Sequence, residues 1–145
     1  MLVKEGTMLP QTRFLCRMLG VYCLLMGLFM ATRAELAWRM ITLFCQDQPL
    51  VFIVAIMVLF GGLAMVLAHN VWSGGAATII VTILGWATLA KGVVLLFAPP
   101  EAVMNFYLHI IHTAKVMYVD GAVALVLGIY LSYAGFKNGV ATRER

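Results

Sequence analysis

The segment "GWATLAKGVVLLFAPPE" (residues 85–101) sets Lys91 inside a run otherwise suited to hydrocarbon. An ammonium near the centre of a lipid-embedded helix is disfavoured by roughly 2.5–3.5 kcal/mol on insertion scales, so it calls for an anionic partner or a route to water. The anion the sequence offers is Asp120. At the rise of an α-helix, Lys91 lies about 9 Å below the helix end at Phe97 and Asp120 about 6 Å in from the same surface, so the two charges come level. Each immediately precedes a glycine, Gly92 and Gly121, and an antiparallel pair packed on those glycines brings both charges to one side of the seam. A Lys91–Asp120 ion pair is therefore expected. It would fix the register of the helices that carry it or, in the alternative, relay a proton or an ion. Snorkelling of Lys91 toward the headgroups is a third arrangement and needs no partner.

The remaining candidates carry less chemistry. In "AHNVWSGG", His69 changes charge near neutral pH, yet no second ligand lies close in sequence. His69 and Asn70 are better placed to satisfy the last carbonyls of a helix, with Trp72 at the interface and Ser73, Gly74 and Gly75 making the turn. His109 and His112 share one helical face with Glu101 and Asn105, but two histidines fall short of the three or four ligands zinc takes. Cys16, Cys23 and Cys45 are an odd set without metal-ligand spacing and read as small hydrophobes. There is no G-x-S-x-G, no H-E-x-x-H and no phosphate-cradling glycine loop. The expectation is a protein that is not an enzyme and holds neither metal nor cofactor.

The elements that position these residues are set by composition. Of 145 residues 63% are hydrophobic and 11% charged, and the mean hydropathy is +0.99, which marks a membrane protein. A hydrocarbon core needs roughly 20 apolar residues per helical span, and the runs at about 14–32, 50–68, 76–97 and 116–136 meet that length. They are continuous rather than alternating, which favours helices over barrel strands. A single all-α membrane domain over 1–145 is expected, a four-helix bundle. Arg13 and Arg17 ahead of an apolar run resemble a signal peptide, but no clean A-x-A site follows "LMGLFMATRAE", so the first span is expected to stay.

Lysine and arginine placement gives the orientation. Lys4, Arg13, Arg17, Lys137, Arg143 and Arg145 fall on the side of the termini, and Arg33, Arg39 and Lys115 on the other, so both termini are expected in the cytoplasm of a bacterial inner-membrane protein. The net charge of +4 follows from this topology and argues for no nucleic acid.

Two patterns predict how the spans pack. Sliding the chain against itself by 65 or 66 positions lays "LGVYCLLMGLFM" from residue 19 over "LGWATLAKGVVL" from residue 84, and Ala55 and Gly62 over Gly121 and Gly128. Each half then reads as span, amphipathic segment, span, and the implied symmetry axis runs along the membrane normal. Small residues also recur every seven positions: Gly20 and Gly27, Ala55 and Gly62, Gly85 and Gly92, and Gly121, Gly128 and Gly135. That spacing clears a stripe on one face of each helix and lets backbones approach, giving a left-handed bundle. The linking segments, about 34–46 and 101–114, put Glu35, Arg39, Thr42 and Gln46 on one edge and Glu101, Asn105, His109 and His112 on the other. They are expected as periplasmic interfacial helices.

The stretch "HNVW" followed by "TILGWATLAKG" resembles a pattern in small uncharacterised bacterial integral membrane proteins of four spans, with His69, Asn70, Trp72, Gly85, Trp86, Lys91 and Gly92 at its hallmark positions. The layout is also loosely similar to DoxX-like membrane proteins. Neither resemblance implies an activity. The function to expect is that of an accessory or assembly subunit, or of a self-associating bundle. The alternative is a small oligomeric transporter or channel with Lys91 and Asp120 in its path. The partners to expect are the bilayer and either another membrane protein or further copies of the chain.

Overall fold

The structure, a computed structural model, describes residues 10–110 and 114–137, and side-chain surroundings within these for all but 108–110 and 114. Among the described residues there are six helices: α1 (Pro10–Thr32), α2 (Ala34–Gln46), α3 (Gln48–Ala68), α4 (Ala76–Phe97), α5 (Pro100–Ile110) and α6 (Ala114–Lys137). Four of them, α1, α3, α4 and α6, are long and apolar enough to cross a membrane. The chain is a multi-pass helical membrane protein. We call the side where α1 begins and α6 ends the near side, and the side of α2 and α5 the far side.

Local chemistry fixes the helix ends. The Asp47 carboxylate accepts from the Leu50 amide at 3.1 Å and caps α3, with Pro49 in the first turn where a missing N–H costs nothing. Pro99 lends its carbonyl to the amides of Ala102 and Val103 as α5 begins. Gly74 and Gly75, at φ 105° and 112°, make the turn into α4 in a region that side-chain-bearing residues avoid.

The interior is built of small residues and the lipid-facing surface of large ones. Gly20, Gly27, Ala55, Gly62, Gly85, Gly92, Gly121, Gly128 and Gly135 are all buried, whereas Phe14, Phe52, Phe60, Leu67 and Phe97 point outward. Lipid tails are as apolar as leucine, so close backbone packing, not exclusion of water, holds such helices together. α1 packs chiefly against α6 and α3 against α4, and the two pairs meet far less extensively. Their junction toward the near side is a cluster of Leu15, Cys16, Ala77, Val81 and Leu131.

The contacts repeat with the sequence. Gly27 meets Leu125, and 65 or 66 positions on Gly92 meets Leu59 in the reciprocal arrangement. In the same way Gly128 meets Leu24 as Gly62 meets Leu89, and Gly20 meets Ser132 as Gly85 meets Val66. On the far side α2 places Ala37 with Met117 of α6, and α5 places Val103 in one cluster with Val51 of α3. The halves α1–α3 and α4–α6 are thus interleaved about a pseudo-two-fold axis: the last helix of each pairs with the first helix of the other.

α2 buries Ala34, Ala37 and Cys45 while Glu35, Arg39 and Gln46 stay exposed, and α5 buries Val103 while Glu101 and Asn105 stay exposed. Burial pushes the Cys45 thiol above its ordinary pKa, so it stays protonated as a small apolar filler.

Candidate functional site

On the near side α3 ends at Ala68, where the "HNVW" segment begins. The His69 amide donates to the Met65 carbonyl at 2.8 Å. The chain then runs along α4, where the Thr82 hydroxyl donates to the Val71 carbonyl at 2.8 Å, with the Thr78 carbonyl at 3.1 Å as a second acceptor. Irregular backbone at membrane depth persists only where protein satisfies its polar groups, and Thr82, 1% exposed, supplies that here. The Asn70 side-chain oxygen accepts from the Trp72 indole at 2.8 Å and the Trp86 indole at 3.4 Å, tying the loop to α4. His69 is 2% exposed, with Nδ1 3.5 Å from the Thr12 hydroxyl and Nε2 without a partner among the described residues. The group His69, Asn70, Trp72 is therefore a helix cap and loop anchor.

A related contact closes the other pair. Arg17, the counterpart of Thr82 at a shift of 65, donates its Nε to the Gly135 carbonyl at 2.9 Å near the end of α6, and its guanidinium lies 4.9 Å from the Phe136 ring centre. A cation at a helix C-terminus meets the negative end of the dipole. Sequence reasoning missed both Thr82 and Arg17 as carbonyl donors. The signal that finds them is a polar side chain at matching places in the two halves.

Toward the far side the structure brings Lys91 to the junction of two apolar grooves. One, about 630 Å³, runs between α1 and α3 past Tyr22, Val58, Gly61 and Met65, with Thr88 and Lys91 of α4 along it. The other, about 590 Å³, lies between the end of α4 and α5 and is lined by Val94, Ala98, Phe106 and Tyr107 among others. Among the described residues no carboxylate lines either groove.

The expected Lys91–Asp120 pair is not formed. Both residues are exposed, and their helices, α4 and α6, scarcely meet. The physical reason lies in the glycines beside them: Gly92 is filled by the backbone of Leu59 on α3, whereas Gly121 is filled by Met30 and Ala31 on α1. The two stripes face different partners, so equal offsets from them lie on different seams. Glu101 and Asn105 do share the exposed face of α5; the side chain of His109 and the whole of His112 lie outside the described residues. Among the described residues no three metal-ligating side chains come together.

No family model, curated protein or solved structure matches this chain. Its reading therefore rests on the geometry above.

Proposed function

We propose that the chain is a non-enzymatic protein of the bacterial inner membrane, with both termini cytoplasmic, serving as an accessory or assembly subunit or as a self-associating bundle. The observation that carries this reading is the interior itself. Helix pairs close on glycine down to the backbone, and the larger grooves open sideways to lipid rather than enclosing a chamber. The orientation is supported by Arg13, Arg17 and Lys137 on the near side, with Lys4, Arg143 and Arg145 beyond them in sequence, against Arg33, Arg39 and Lys115 on the far side.

One observation favours the second reading, a small oligomeric transporter or channel using Lys91 and Asp120: Lys91 lines both grooves. Against it, Asp120 lines neither, and the groove walls are largely apolar. Purification from native membranes in mild detergent, followed by reconstitution of the same sample, separates the two. The accessory reading expects a stoichiometric protein partner or defined homo-oligomer and no ion flux into liposomes. A proton or ion flux that disappears in Lys91→Met would overturn it.

A further inference from the structure

We propose that the paired grooves at Lys91 form a binding site for an anionic phospholipid of the bilayer, the ammonium taking the phosphate and the α1–α3 groove an acyl chain. This site is independent of the accessory role and stands or falls on its own observations.

The first observation is that packing does not call for the charge. Lys91 corresponds to Met26 at a shift of 65, and the neighbouring glycines Gly92 and Gly27 make matching contacts in both halves. An uncharged residue therefore serves in the first half, where the second half carries an ammonium disfavoured at membrane depth. The second is that no described residue in the grooves neutralises it, since neither is lined by a carboxylate among the described residues. A cation held among apolar walls is complementary to a ligand that joins an anion to a hydrocarbon chain.

Depth assigns the two ends of that ligand. Lys91 sits about 9 Å below the end of α4 by helical rise. Its flexible stem can lie along apolar surface while the ammonium rises toward the interface, into the groove where Phe106 and Tyr107 of α5 stand above Val94 and Ala98. Tyrosine is a residue of headgroup depth. Below the lysine the α1–α3 groove runs on past Tyr22, Val58, Gly61 and Met65, apolar along that length and open sideways to the bilayer. A lipid can enter it from the membrane with its head toward the far side.

Native mass spectrometry of the full chain released from detergent micelles tests this, with phosphatidylglycerol or phosphatidylcholine titrated in and the first binding event read for each. The wild type is expected to take phosphatidylglycerol about fivefold more tightly, the scale of one lysine's attraction for anionic lipid. Lys91→Met should bind the two lipids equally, and Lys91→Arg should keep the preference. Gly61→Leu, whose added Cβ meets nothing within 4 Å, should weaken both lipids by filling the chain groove while leaving the fold intact. No preference in the wild type, or a preference that survives in Lys91→Met, would overturn the site. So would a dimer that both Lys91→Met and Asp120→Asn dissociate, because a second copy's carboxylate would then occupy the lysine.

Discussion

Gly62→Leu is expected to cost about 3 kcal/mol or more in an equilibrium unfolding titration with sodium dodecyl sulfate, whereas Gly61→Leu, one residue away, should stay within about 1 kcal/mol of the wild type. A Cβ at Gly62 falls on the main chain of Leu89, 2.6 Å from its Cα, and a helix backbone cannot swing aside as a side-chain tip does. At Gly61 the same Cβ meets open space. Hydrophobicity, helix and depth are the same for the two substitutions, so the contrast isolates packing. Interleaved symmetry adds a second expectation: Gly128→Leu, which strikes the Leu24 main chain at 2.7 Å, should lose about as much as Gly62→Leu. Equal tolerance at positions 61 and 62 would contradict the packing described.

Thr82→Val should destabilise the protein by about 1 kcal/mol, the cost of leaving a part-buried carbonyl without its donor, and speed hydrogen exchange over residues 69–75. The substitution keeps the shape of the side chain and removes only the hydroxyl that Val71 uses. Thr82→Ser restores the donor and should recover most of the loss. If Thr82→Val matched the wild type in both stability and exchange, the Val71 carbonyl would be satisfied elsewhere and the loop would not depend on α4.

Much of this architecture is legible in the sequence for simple reasons. The four spans follow from the length of continuous apolar runs, and the glycines every seven residues mark the faces that meet. The choice of partner does not follow from the stripes, because all four helices carry one and each stripe accepts any other. A Lys91–Asp120 pair requires α4 and α6 to be neighbours. They are not, since Gly92 closes on α3 and Gly121 on α1. The internal repeat held the missing information: with the axis along the membrane normal, pairing α1 with α6 requires pairing α4 with α3. The near-side cap is partly legible, since His69 and Asn70 fall at a helix end in the sequence, whereas Thr82 is one apolar-span threonine among several. Its role depends on the loop after α3 doubling back along α4, which no local pattern encodes.

Cysteine cross-linking tests the interleaved pairing most directly. A Cβ at position 135 would stand 3.3 Å from the Cβ of native Cys16, and one at position 85 stands 3.3 Å from the Cβ of Met65, close to the separation a disulfide spans. With the other cysteines replaced by alanine, Gly135→Cys against Cys16, and Met65→Cys with Gly85→Cys, should each form an intramolecular disulfide on oxidation in membranes, seen as a linked peptide by mass spectrometry. Absence of both links, or, in a variant that keeps Cys16 beside Met65→Cys and Gly85→Cys, a cysteine at position 85 joining Cys16 in preference to position 65, would show that the first and last helices of the halves do not pair as described.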